Sequence, residues 1–153
     1  MNSIQTKLGS LDTNIFILGL RRTPAGYEAC VELLQRLAEL RLSITDAVLL
    51  ELQHNLTTAE MRQIYAIFSA HPEDVESVLL AWTPPPDSLV AEFRARGCKK
   101  GDAFVAACLV ASGVDYFISE NRHFLFEIKD LPFVVLSPAQ VLEQLSSSEH
   151  SHN

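Results

Sequence analysis

Short apolar runs alternate with amphipathic stretches along most of this 153-residue chain, and that alternation narrows the folds open to it. Strand-like runs fall at residues 6–11, 42–44, 78–82, 114–118 and 133–136. An apolar stretch over 15–20 leads into a polar loop at 21–26. Cys30, Leu33, Leu34, Leu37 and Leu40 then recur with the spacing of one helical face, which predicts a helix over 27–40. Thr45 or Asp46 caps a helix reaching about Leu56. Thr57 or Thr58 starts another, which carries Met61, Ile64, Tyr65 and Phe68 and stops near His71 and Pro72. Residues 87–95 read as a helix stopped at Gly97. Residues 102–112, apolar nearly all round, read as a buried helix closed by Gly113. Ser137 caps a last helix, with Pro138 in its first turn, running to Leu145. Strands and helices in this order imply an α/β fold: a central, mostly parallel sheet flanked by helices on both faces. Such sheets gather ligands and catalytic groups outside the carboxyl ends of their strands. Gly9 and Ser10 interrupt the first run.

The length suits one domain, over 4–145, followed by a polar tail at 146–153 expected to be disordered. Hydrophobic residues make up 48% and charged residues 20% of the chain, the profile of a compact domain with a core. No apolar run is long enough to span a membrane, and the first residues lack the pattern of a signal peptide. Cys30, Cys98 and Cys108 form no CxxC pair and read as core or near-surface residues of a protein kept reduced, which points to the cytoplasm. The net charge is −7, from 12 Lys and Arg against 19 Asp and Glu. That is an unusual balance for a nucleic-acid protein, which generally carries a basic footprint. Clustered acids that hold divalent cations soften the objection. So do two basic groups, Arg21-Arg22 and Arg94, Arg96, Lys99 and Lys100, although ordinary solvated surface explains them equally well.

Four places carry chemistry, and each also has a plain structural reading. Asp12 ends the first strand, where an Asp can simply accept turn N–H bonds. Glu51 sits among apolar neighbours, as a surface Glu on an amphipathic helix does. Asp102 heads the buried helix, where the helix dipole favours an acid in any case. Ser119, Glu120, Asn121 and Arg122 follow the fourth strand, where a polar loop is expected. Together all four lie at carboxyl ends of strands or in the helix that follows one.

In order, Leu-Asp-Thr-Asn, Leu-Leu-Glu-Leu, Gly-Asp-Ala-Phe-Val-Ala-Ala-Cys and Phe-Ile-Ser-Glu-Asn-Arg-His-Phe resemble the PIN domain, especially the VapC-like ribonuclease toxins and their relatives. The resemblance spans residues 4 to 142. It implies a PIN-like fold with a shared acidic pocket and Mg²⁺- or Mn²⁺-dependent cleavage of RNA, a phosphodiester hydrolysis. By position, Asp12, Glu51 and Asp102 match the family's first three acids. The fourth falls on Asn121, two residues after Ser119, with Glu120 the adjacent charged alternative.

Hard cations take oxygen ligands, and two carboxylates about 5 Å apart repel by roughly 3 kcal/mol at an effective dielectric near 20, so a cation favours their approach. In this reading Asp12 and Asp102 hold the metal and Glu51 handles the attacking water. Ser119 and Asn121 position the outer shell, and Arg122 steadies the phosphate. The family also implies a cognate antitoxin whose tail crosses the pocket. The helices after Tyr27 and Thr58 offer a homodimer face, or are simply core.

Other readings fare less well. A haloacid-dehalogenase-type phosphatase needs an Asp at position 14, which is Asn14. No early acidic pair with a late Lys suggests a receiver domain, and no phosphate-binding glycine loop occurs. The alternative is a PIN fold kept as an RNA-binding or assembly module with weak catalysis.

Overall fold

The computed structural model describes residues 4–22, 27–69, 78–81, 84–121, 124–125, 128 and 130–150, with 78–81 and 148–150 described in backbone only. Five parallel strands form one sheet in the order β3-β2-β1-β4-β5: β1 (Leu8–Leu11), β2 (Arg41–Thr45), β3 (Val78–Ala81), β4 (Tyr116–Ile118) and β5 (Val134–Leu136). The helices are α1 (Thr13–Arg21), α2 (Glu28–Gln35), α3 (Asp46–Asn55), α4 (Thr58–Ser69), α5 (Asp87–Ala95), α6 (Lys100–Ala111) and α7 (Pro138–His150). Strand order runs outward from β1 to β2 and β3 on one side and to β4 and β5 on the other. The chain therefore reverses its direction of travel across the sheet between β1 and β4, the place where open parallel sheets bind ligands.

Alternation along the strands sorts the core into two layers. Leu11, Leu42, Ile44, Tyr116 and Ile118 join Phe16, Leu33 and Val141 in the layer that holds α1, α2, α4 and α7. Phe117 turns the other way, against Phe93, Ala103, Ala106, Ala107 and Phe133 in the layer of α5 and α6. The small side chains of α6 give it almost no polar face, and Ala103, Ala106 and Ala107 are fully buried, as its all-apolar sequence predicts.

Several ends differ from the sequence expectation, each for a local reason. The helix expected over 27–40 stops at Gln35, and a 3₁₀ turn at Leu37–Glu39 follows. Arg36 and Glu39 pair across that turn, and a 3₁₀ turn repeats at three residues, so Leu37 and Leu40 stay buried and the apolar pattern continues. The expected first strand opens with another 3₁₀ turn, Ile4–Thr6. Thr45, not Asp46, caps α3, accepting from the Val48 N–H at 3.3 Å. The tail expected to be disordered from 146 is helical to His150. Ser137 and Gln140 cap α7 reciprocally, and polar residues alone do not end a helix when no Gly or Pro stops it. Residues 151–153, Trp82, His71 and Pro72 lie outside the described residues.

Gly9, which weakens β1 as a sequence pattern, is required by packing. A Cβ there would stand 2.2 Å from Cζ of the Tyr116 ring on β4, and Tyr116 is itself buried. Gly19 plays the same part between α1 and α2, where a Cβ would meet the Cys30 carbonyl oxygen at 2.7 Å. Gly9→Ala and Gly19→Ala should each lower unfolding stability by about 1–3 kcal/mol in urea titrations, since both sites are overpacked by one methyl. Gly101→Ala, with nothing within 4 Å of its Cβ, should be neutral or slightly stabilising.

Thr57 and Glu60 form a capping box at the start of α4, and Glu60 also receives the Arg21 guanidinium at 3.0 Å. These bonds draw the Glu60 pKa from its ordinary 4.5 down to about 2, with Arg21 the largest cause. A depressed carboxylate pKa adds stability that is full above the unfolded value and lost as pH falls through the folded one. The stability gap between the wild type and Glu60→Gln should therefore hold above about pH 5 and close towards pH 2, which denaturant curves across that range will read.

Candidate active site

Asp12 and Ser119 meet where β1 and β4 end. Backbone bonds fix both: the Asp12 N–H donates to the Ile118 carbonyl at 2.9 Å, and the Ser119 N–H to the Leu136 carbonyl at 2.9 Å. The Ser119 hydroxyl donates to Asp12 Oδ2 at 2.9 Å and accepts the Asn121 backbone N–H at 2.9 Å. Ser119 is buried, so this hydroxyl has a fixed direction.

Asp12 stands at the N-cap position of α1 yet makes no side-chain cap bond to it. The turn-forming reading of Asp12 holds in part: its carboxylate takes the Thr13 backbone amide as well as the Ser119 hydroxyl. Burial raises its pKa above the ordinary 3.8, these two bonds oppose that, and the charges of Glu51 and Asp102 add to it. Glu51 and Asp102 are therefore both near enough for Asp12 to feel their charge. Glu51 is exposed on α3, and Asp102 is half-buried in the first turn of α6, two residues inside a helix that begins at Lys100.

The charge of Glu120 falls on the thiol of Cys30, whose pKa is pushed up to about 11 chiefly by burial, and it is not among the charges that bear on Asp12. Asn121 meets the site through its backbone N–H on the Ser119 hydroxyl. Arg122 lies outside the described residues. Of the basic groups, Arg21 is held by Glu60 and Arg96 by Glu92 and the Asp130 carbonyl, whereas Lys99 and Lys100 are exposed at the start of α6.

Two residues close to Asp12 in sequence, Ser10 and Thr13, are buried, and their hydroxyls have no hydrogen-bond partner among the described residues. A serine inside a central strand was the one signal for Ser10, and it reads first as a weak strand. Among the described residues, no three His, Cys, Asp or Glu side chains stand close enough to hold one ion directly. The oxygen donors nevertheless suit a hard divalent ion: one half-buried carboxylate for direct contact, two more acids within electrostatic reach, and the buried Ser119 hydroxyl that holds the first. Mg²⁺ commonly binds one or two carboxylates and keeps several waters.

No protein-family model matches the chain, and no curated protein does. Solved structures do. VapBC2 from Rickettsia felis, bound to a DNA fragment from their promoter, is 17% identical with a TM-score of 0.56 over 85% of this chain and 98% of that one. FitAcB from Neisseria gonorrhoeae is 16% identical with a TM-score of 0.55, over 86% and 98%. PAE2754 from Pyrobaculum aerophilum is 17% identical with a TM-score of 0.56, over 94% and 98%. At these identities the likeness is one of fold, and the chain is a PIN-like α/β domain.

Burial of an ionised Asp12 beside two like charges has a cost that can be measured. A raised carboxylate pKa is favourable to folding below the unfolded value and becomes unfavourable as pH rises through the folded one. Asp12→Asn, which keeps an oxygen for Ser119, should therefore stabilise the chelator-treated protein at neutral pH, by a margin that shrinks towards pH 4. A variant destabilised at pH 7 would show that Asp12 serves the fold and not a ligand.

Proposed function

We propose that this PIN-like domain is a divalent-metal-dependent endoribonuclease, the toxin of a toxin–antitoxin pair acting in the cytoplasm. The observation that carries the reading is Asp12: a half-buried carboxylate at the end of the central strand, held by Ser119 and within reach of the charges of Glu51 and Asp102. Holding that charge beside two others costs the fold, and a bound cation would offset the cost.

Asp12 would hold Mg²⁺ or Mn²⁺ directly, with Asp102 and Glu51 reaching it directly or through its waters. A divalent ion so placed supplies an acidified water and stabilises the charge that develops on a phosphodiester. Ser119 keeps the Asp12 carboxylate pointed into the pocket, and its own rotamer is set by the Asn121 amide. Glu51, exposed at the rim, accepts the proton of the attacking water. Asp102, in the first turn of α6, is steadied there by the helix dipole and keeps its charge towards Asp12.

The solved neighbours are toxin–antitoxin proteins, which supports a small protein partner for this chain. A groove of about 390 Å³ between α1, α2 and α4, lined by Leu20, Val31, Leu34 and Ile67 with exposed Gln35 and Gln63, suits the apolar edge of such a partner. Co-expression with the neighbouring open reading frame should yield a stable complex and relieve growth arrest. If the chain alone leaves growth unaffected while the purified protein cleaves RNA, the toxin role is wrong and the nuclease role stands. A homodimer closed over the same groove is the other outcome.

Cleavage of single-stranded RNA should require Mg²⁺ or Mn²⁺ and stop in chelator. Glu51→Gln should cost about 10²–10⁴-fold in rate, the range for a lost general base, while Mn²⁺ still raises the melting temperature. Asp12→Asn should lose both. Asn121 in place of a fourth acid favours one other reading, a module that binds RNA without cutting it. RNA retained but uncut in Mn²⁺ would select that reading.

A further inference from the structure

Residues 94–100, Arg-Ala-Arg-Gly-Cys-Lys-Lys, hold four of the chain's 12 Lys and Arg and no acid. They cover the end of α5 and the start of α6, two helices that pack together across the turn at 96–99. One of the four cations is committed to the fold: Arg96 pairs with Glu92, donates to the Asp130 carbonyl at 2.8 Å and lies over the Phe93 ring. Arg94, Lys99 and Lys100 are exposed and have no ion pair among the described residues. Arg94 and Lys100 have no acid three or four residues away, the positions from which a helix neutralises its own cations. A Cβ at Gly97 or Gly101 would meet nothing within 4 Å, so the surface beside these side chains is open.

Topology sets where this surface lies. α6 ends at Ala111, just before the Asp115 N–H donates to the Leu8 carbonyl at the amino end of the sheet. Its 12 residues run back over Phe117 for about 18 Å, at 1.5 Å per residue. Lys99 and Lys100 therefore stand at the carboxyl end of the sheet, the end at which Asp12 and Ser119 meet.

We infer that Arg94, Lys99 and Lys100 form an anchoring surface for the phosphate backbone of single-stranded RNA, outside the acidic pocket and at the same end of the sheet. The inference deepens the ribonuclease reading and rests on it for the identity of the anion. Charge complementarity selects the occupant. A chain of net charge −7 repels a polyanion on average, and a local surface of opposite sign is what lets one associate. Contacts from Lys and Arg to phosphates carry no sequence information, so the surface holds RNA of any sequence. The three residues hold the substrate and take no part in the bond change.

The test is fluorescence anisotropy of a labelled single-stranded oligoribonucleotide titrated with the protein in chelator, where metal-dependent cleavage stops. With three phosphate contacts, log affinity should fall against log salt with a slope of about −2, roughly 20-fold between about 50 and 200 mM. Arg94→Gln, Lys99→Gln and Lys100→Gln should each flatten that slope by about 0.7, and the triple variant should lose binding. Arg62→Gln, an exposed cation on α4 in the opposite layer, should leave the slope unchanged. In Mn²⁺ the triple variant should cleave with KM raised roughly tenfold or more and kcat within about twofold. An unchanged melting temperature, expected for exposed side chains, separates these effects from misfolding. A wild type without affinity for RNA in chelator, or a triple variant that binds and cleaves as the wild type does, would overturn the surface. The second result would leave the nuclease reading intact. A triple variant that keeps its RNA affinity and loses the co-expressed partner would also overturn it, and make the turn a protein contact. A wild type that binds RNA through these residues and cuts none in Mn²⁺ would instead defeat the ribonuclease reading and leave the surface standing.

Discussion

The structure depends on β1 lying at the centre of the sheet, with a parallel strand on each side and helices over both faces. Gly9, Ser10 and Leu11 of this strand are buried, and Leu8 at its start is partly exposed. Each of its residues answers to that position. Gly9 leaves room for Tyr116, and Leu11 fills the layer under α1. Asp12 emerges at the single point where the sheet's connections diverge. The functional group is placed by the same constraint that places the core.

Asp12 shows how a site departs from ordinary folding preferences. An N-cap Asp normally gives its carboxylate to the first amides of its helix, which stabilises the helix end. Here the cap bond is missing and the carboxylate is divided between the Ser119 hydroxyl and the Thr13 amide, within reach of the charges of two other acids. Glu60 makes the contrast. It is an acid at a helix start that satisfies its cap, takes an Arg and has its pKa lowered, while that of Asp12 is raised. The two carboxylates differ in their surroundings, and their pKa shifts run in opposite directions.

Much of the site was legible because it follows strand ends. Asp12, Glu51, Asp102 and Ser119 could be proposed from an acid or hydroxyl after each apolar run, since parallel sheets collect polar groups there. The choice between Glu120 and Asn121 could not be read from sequence, because beyond Ile118 the chain leaves the strand and turns back on the Ser119 hydroxyl, where strand periodicity no longer applies. Ser10 and Thr13 escaped notice because a hydroxyl signals nothing until it is seen buried without a partner.

The sequence by itself determined the order of elements other than α1, the two-sided burial of the sheet, the cap at Ser137, and the buried character of α6. These follow from periodicity and local hydrogen bonding, which act over a few residues. Tertiary structure decided why position 9 is glycine, that Thr45 and Thr57 and not their neighbours are the caps, and which acids come within electrostatic reach of Asp12. Those outcomes depend on contacts between residues as far apart as Asp12 and Ser119, whose meeting is fixed only when β1 and β4 pair.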